Sequence, residues 1–189
     1  MSSAWSARST CTISCALASC KRVARRPAPL AAIRLLVLDV DGVLTDGRLH
    51  YGPEGERDKV FHVRDGFGLR AVAAAGVTVA VISGRDTPAV AQRCAELGIR
   101  EVQQGVADKA QALEALLARL GIAARECACV GDDTPDVPLL RRAGLAVAVA
   151  DAHADARRVA HRRTRLGGGA GAVREVCDWL LAARARAGR

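Results

Sequence analysis

Residues 33–47 read IRLLVLDVDGVLTDG. The continuous apolar run from Ile33 to Asp39 predicts a buried strand. Directly after it come two carboxylates two residues apart, Asp39 and Asp41, followed by Gly42. Charged groups in that position cannot be core residues without partners. Downstream, short apolar runs at 77–83, 101–104, 126–130 and 145–150 alternate with helical patterns. These helices are expected at about 67–75, 87–97, 108–120, 135–142, 151–160 and 170–186. Strand and helix taking turns predicts an α/β fold, a Rossmann-like parallel sheet with helices on both faces. In such sheets the ligand crevice lies outside the carboxyl ends of the strands.

The residues expected at those ends are unusual together. The second strand delivers Ser83-Gly84-Arg85, Lys109 opens a helix after the third, and the fourth ends in Gly131-Asp132-Asp133. Taken singly, Asp and Ser often cap helices and Lys is usually a solvated charge. A carboxylate pair, a hydroxyl, an ammonium and a second carboxylate pair at one sheet edge point instead to a functional site.

Composition bounds the rest. The 189 residues suit one domain with a core of Ala, Val and Leu, since only 3% are aromatic. Of 28 basic residues, five (Arg8, Lys21, Arg22, Arg25, Arg26) lie in the acid-free residues 1–30, leaving 23 against 20 acids in the remainder. No basic stripe interleaved with aromatics suggests nucleic-acid binding, and no segment reaches the length of a membrane span. Residues 1–30 read as an extension to a domain covering 31–189. A disordered tail, a targeting peptide and an over-early start codon all fit its Arg- and Ser-rich composition. Cys11, Cys15 and Cys20 fit no zinc spacing, and Cys94, Cys127, Cys129 and Cys177 read as reduced, buried side chains.

The ordered set Asp39-Val-Asp41-Gly-Val-Leu-Thr45, Ile82-Ser83-Gly84-Arg85, Lys109 and Gly131-Asp132-Asp133-Thr-Pro-Asp136 resembles the motifs of haloacid dehalogenase-type phosphotransferases. The resemblance implies a nucleophile at Asp39, an acid and base at Asp41, and phosphoryl contacts from Ser83 and Lys109. It also implies Mg²⁺ held by Asp39, Asp41 (through its backbone carbonyl) and Asp132, with Asp133 and Asp136 behind them. Most such proteins insert a cap domain, whereas residues 47–63 here suffice only for a β-hairpin turning at Gly52-Pro53-Glu54-Gly55-Glu56. Something else must close the site, and an adjacent subunit is the simplest candidate.

Within that superfamily the chain resembles the capless 3-deoxy-D-manno-octulosonate 8-phosphate phosphatases from about Arg34 to Leu181. The segments that carry this are 61–70, 82–85, 93–98, 130–136, 147–153 and 171–175. The resemblance implies a homotetramer, a phosphorylated sugar acid as substrate, and a cytoplasmic place in lipopolysaccharide precursor synthesis, with organelle targeting by residues 1–30 left open. It implies substrate contacts from Asp41, His62, Val63, Arg64, Asp65, Gly66, Arg70, Arg85, Arg93 and Lys109. Position 62 is His where the family often has Asn. A nine-carbon sugar-acid 9-phosphate remains an alternative substrate, and a non-catalytic assembly module an alternative role. Outside these positions, His153 and His161 read as solvated helix residues. Arg157, Arg158, Arg162, Arg163 and Arg165 read as exposed charge runs, and Glu54 and Glu56 as solvated hairpin-tip residues. Arg93, mid-helix, fits an exposed salt bridge nearly as well as a substrate contact.

Overall fold

The computed structural model describes residues 26–53 and 55–188. The expectations for residues 1–25, for Cys11, Cys15 and Cys20 and for Glu54 lie outside the described residues. The chain runs β1 (Leu35–Leu38), β2 (His50–Gly52), β3 (Gly55–Asp58), α1 (Val63–Ala74), β4 (Thr78–Ile82) and α2 (Pro88–Leu97). It continues through β5 (Glu101–Gln103), α3 (Lys109–Leu120), β6 (Cys127–Gly131), α4 (Val137–Arg142), β7 (Leu145–Ala148), α5 (Ala154–Val159), β8 (Arg162–Arg163) and α6 (Ala172–Ala187).

Six strands form one parallel sheet in the order β5-β4-β1-β6-β7-β8, and β2 with β3 makes a separate antiparallel hairpin. The α/β fold, the parallel sheet and the hairpin are thus as the sequence predicts. Every residue of β1 is buried, because β4 and β6 flank it and helices cover both faces. The chain winds from β1 outward to β4 and β5, then crosses to β6 and winds the other way. The order therefore reverses between β1 and β6, where a parallel sheet leaves a crevice at its carboxyl edge. Asp39 N donates to Val130 O at 3.1 Å, which extends the pairing one residue and sets Asp39 at that crevice.

Several boundaries differ from the sequence reading. Helix α1 begins at Val63, four residues ahead of the expected start, because His62 caps it: its Nδ1 accepts from Arg64 N at 3.2 Å. Gly66 and Gly68 disguise this first turn as a loop. Gly68 is there for packing, since a Cβ would press to 3.1 Å from the Cβ of Cys177 on α6. The two-residue strand β8 was not expected. Its arginines form the parallel edge of the sheet beside β7, where charge discourages further pairing, and Arg162 lies 5.3 Å from the Trp179 ring centroid. His161 precedes this strand instead of lying on a helix, and its Nδ1 accepts from Ala146 N at 2.9 Å. His153 caps α5, accepting from Asp155 N. Packing onto the domain begins ahead of residue 31: Ala28 N donates to Gly144 O at 2.8 Å, and Ala28 and Leu30 lie against the core.

The core consists of aliphatic and small side chains, including the buried, free Cys94, Cys127, Cys129 and Cys177. Among the described residues no helix is long and apolar enough to cross a membrane. Leu36 is wholly buried in β1. Leu36→Ala is expected to cost about 2–5 kcal/mol of stability through lost transfer energy and a residual cavity, measured as a lowered midpoint in urea unfolding.

Candidate active site

Three carboxylates meet outside the ends of β1 and β6. Oxygens of Asp39, Asp132 and Asp136 lie within 4.8 Å of one another. Lys109, the first residue of α3, reaches into this group and contacts Asp39 Oδ1 at 2.8 Å and Asp136 Oδ1 at 2.7 Å. The position of Lys109 is fixed locally by Asp108, whose Oδ1 accepts from Ala110 N and Gln111 N as the helix cap. Asp136 is fully committed: its Oδ2 accepts from Asp132 N at 2.9 Å while Lys109 holds its other oxygen. Asp133 Oδ1 accepts from Thr134 N at 2.7 Å and starts the turn that carries Asp136.

The electrostatics follow from crowding. Burial, then repulsion by Asp136, pushes Asp39 up to about 6, with Lys109 pulling the other way. Asp132 is pushed further, to about 8, by burial and then by Asp136, Asp39 and Asp133. Burial opposes the charge on Lys109, but Asp39 and Asp136 outweigh it and hold its pKa above the ordinary value. Asp132 Oδ1 is buried with no hydrogen-bond partner. A hard, oxygen-only donor set with an orphaned buried oxygen suits a cation with oxygen ligands. Gly42 leaves room for it: its backbone has φ +85°, and a Cβ there would run into the Asp132 carboxylate.

These groups line an open depression of about 280 Å³ that also includes Asp41, Gly47, Ser83, Gly84, Arg85, Asp133 and Pro135. Ser83 is buried, and its Oγ accepts from Arg85 N at 3.2 Å, leaving its O–H free to donate. Asp41 stands at the mouth in a ring of charge. Lys59 Nζ contacts Asp41 Oδ1, Lys59 also meets Glu56 Oε1 at 2.8 Å, and Glu56 Oε2 accepts from Arg85 at 2.6 Å. Glu56 is thus not a solvated tip residue. The hairpin folds back on the site, and Lys59 and Arg85 hold the Glu56 carboxyl below its ordinary pKa. For Lys59, burial lowers the pKa, but the carboxylates of Asp41 and Glu56 more than offset it.

Sequence reading missed Lys59. A Glu and a Lys three residues apart in a hairpin read as surface charges, and their spacing across the hairpin's return strand is the one available signal.

The remaining expected contacts are not gathered here. His62, Asp65, Gly66 and Arg93 line a separate, narrow apolar cleft with Leu44, Phe61 and other core residues. Asp65 is buried, and its Oδ1 accepts from Arg174 N at 2.7 Å, tying α1 to the start of α6. Arg93 contacts Glu96 at 3.1 Å, the salt bridge of one of its two readings, and lies against Gly66. Arg70 donates to Glu96 O at 2.6 Å, while Val63 and Arg64 are exposed.

The chain as a whole resembles known proteins. Residues 98–166 match the family of haloacid dehalogenase-like hydrolases. The 3-deoxy-D-manno-octulosonate 8-phosphate phosphatase of Escherichia coli K12 is 50% identical over 154 residues, covering 82% of each chain. A crystal structure of the Moraxella catarrhalis phosphatase of that name, in complex with magnesium ion, phosphate ion and KDO, is 42% identical with a TM-score of 0.81, covering 84% of this chain and 91% of that one. The cobalt-bound Haemophilus influenzae enzyme is 41% identical with a TM-score of 0.81, covering 83% and 92%.

The raised Asp132 pKa sets a stability test in the presence of a chelator. Its folded value of about 8 exceeds the ordinary 3.8, so between those values the folded state holds a proton that the unfolded chain has released. The folded protein therefore loses stability as pH rises across that window. Asp132→Asn removes this loss. The variant's melting temperature should exceed the parent's by a margin that grows from pH 5 to pH 8.5, measured by thermal melts in EDTA.

Proposed function

Because this chain belongs to the family of 3-deoxy-D-manno-octulosonate 8-phosphate phosphatases, haloacid dehalogenase-like hydrolases, we propose that it hydrolyses that sugar-acid phosphate through an aspartyl phosphate on Asp39. The observation that carries this reading is the contact of Lys109 with both Asp39 and Asp136 beside the orphaned oxygen of Asp132. Three carboxylates against one ammonium leave two negative charges, which match one divalent cation. Asp39, Asp132 and the main-chain carbonyl of Asp41 would hold Mg²⁺, which when bound neutralises charge around the phosphoryl group. Asp133 and Asp136 support that shell from behind.

The protein's own groups account for the two half-reactions. Asp39 attacks phosphorus, forming a carboxylate–phosphorus bond as the bond to the sugar oxygen breaks. Asp41 gives its proton to the departing alkoxide. Water then attacks the phosphorus of the aspartyl phosphate as Asp41 takes its proton; the bond from Asp39 to phosphorus breaks, inorganic phosphate leaves, and the starting state is restored. Lys109 offsets charge on Asp39 and on the phosphoryl oxygens, and the Ser83 hydroxyl donates to one of those oxygens.

The substrate's sugar-acid end needs further contacts. His62, Val63, Arg64, Asp65, Gly66, Arg70, Arg85 and Arg93 are the residues we assign to it. Of these, Arg85 alone lines the depression with Asp39. Arginine suits the work because its planar fork grips a carboxylate through two parallel hydrogen bonds. The others would reach the substrate across a homotetramer interface. An exposed apolar surface on the hairpin and the start of α1 supports that assembly: Tyr51, Val60, Val63 and Phe67 are each more than 60% exposed.

Phosphate release should favour the octulosonate 8-phosphate over a nine-carbon sugar-acid 9-phosphate and over hexose phosphates by about a hundredfold, or about 2.7 kcal/mol. Equal rates across that panel would leave the chemistry and remove the substrate assignment. Asp39→Asn should lower turnover by at least about a thousandfold with an unchanged circular dichroism spectrum, and near-normal activity would refute the nucleophile. Light scattering should give four copies per particle, and a fully active monomer would refute closure by a neighbouring subunit.

A further inference from the structure

The hairpin that replaces a cap is not joined to the main sheet by strand pairing, yet a buried ammonium follows it directly. The Lys59 side chain is 2% exposed. An ammonium so placed must be matched closely, because burying it alone would be costly. Its matches are Asp41 Oδ1 and Glu56 Oε1, and Glu56 is itself held by Arg85. Two acids and two bases thus form a closed, neutral ring in which Asp41 is the member facing the depression.

The two oxygens of Asp41 are not equivalent in this ring. Oδ1 accepts from Lys59, while Arg85 Nε stands 3.8 Å from Oδ2, beyond hydrogen-bonding distance. Oδ2 is therefore the oxygen free to exchange a proton with an ester or a water. A carboxylate on a short side chain beside a glycine turn would otherwise rotate between its rotamers. A pinned Oδ1 removes that freedom, and a proton donor held in place acts far more effectively than a mobile one.

We infer that Lys59 is a positioning residue for the acid–base step: its ammonium fixes Asp41 Oδ1 so that Oδ2 gives the proton to the leaving alkoxide and later takes one from water. The inference rests on the reading of Asp41 as the acid and base. Lys59 touches neither the phosphoryl group nor Asp39 in this account; it acts through Asp41, and Glu56 acts through Lys59.

The test separates leaving groups. 4-Nitrophenyl phosphate expels a stable phenolate that needs no proton, whereas 4-nitrobenzyl phosphate, nearly the same size, expels an alkoxide that does. The ratio kcat/KM reports the step in which that group departs. Lys59→Met should lower kcat/KM for the benzyl ester by about 30-fold or more and for the phenyl ester by no more than about threefold. Lys59→Arg, which keeps the charge, should recover part of the benzyl loss. Lys59→Gln, of similar length, should show the same split more weakly, and it carries the test if Lys59→Met loses the parent circular dichroism spectrum. Equal losses on both esters, with Asp41→Asn still separating them, would overturn the positioning role alone. If Asp41→Asn also fails to separate them, the acid–base assignment of Asp41 falls and the role of Lys59 falls with it.

Discussion

One ammonium makes the carboxyl edge of this sheet possible. Lys109 lies between Asp39 and Asp136 at hydrogen-bonding distance from both, in a place where burial and mutual repulsion would otherwise protonate the carboxylates. Much of the surrounding chain serves that contact. Asp108 fixes the first turn of α3, and so the origin of the lysine side chain. Gly131 lets the turn bearing Asp136 close over the end of β6, since a Cβ there would stand 2.6 Å from that of Asp136. The central position of β1 brings Asp39 in from the other side. Compensation is nevertheless incomplete. Asp132 is left with an orphaned oxygen and a strongly raised pKa, the state of a carboxylate whose natural partner is a cation.

A second region of the site is neutral where the first is not. The ring of Asp41, Lys59, Glu56 and Arg85 balances its own charges. The difference suits the chemistry proposed for each half. The deeper cluster must attract a cation and, through it, a phosphate dianion, so surplus negative charge is useful there. The acid–base group must instead present a proton in a fixed direction, and a self-balanced ring provides rigidity without adding to the field on the phosphate.

Much of this was legible in the sequence because apolar runs and punctuation are local signals. Residues 33–39 announce a doubly buried strand, and the identities of Asp39, Asp41, Ser83, Lys109 and Asp132 at strand ends place the site before any coordinates. What stayed hidden depends on contacts between distant segments. Glu56 and Lys59 carry a surface pattern and become interior only because the hairpin folds over Asp41. The first turn of α1 is obscured by two glycines, Gly66 where α2 approaches and Gly68 where α6 does. Strand β8 consists of two arginines, a composition no strand pattern would select, and exists because β7 offers an unpaired edge. Asp65, expected at the substrate, bonds to the backbone at the start of α6, a partner more than a hundred residues away.

The hairpin and the turn that follows it draw these threads together. Lys59 closes the ring around Asp41, and the very next residues, Val60, Val63 and Phe67, present apolar side chains to solvent. In a tetramer that covered this patch, the interface would begin one residue from the ammonium that fixes the acid–base group. A short stretch of chain cannot be clamped at Val60 and remain loose at Lys59, since adjacent Cα atoms are only 3.8 Å apart. Closure of the open depression by a neighbour and orientation of Asp41 would then be one mechanical event. This gives a physical reason for a hairpin to stand where larger relatives place a domain: a short hairpin suffices to join assembly to catalysis, provided a buried lysine follows it.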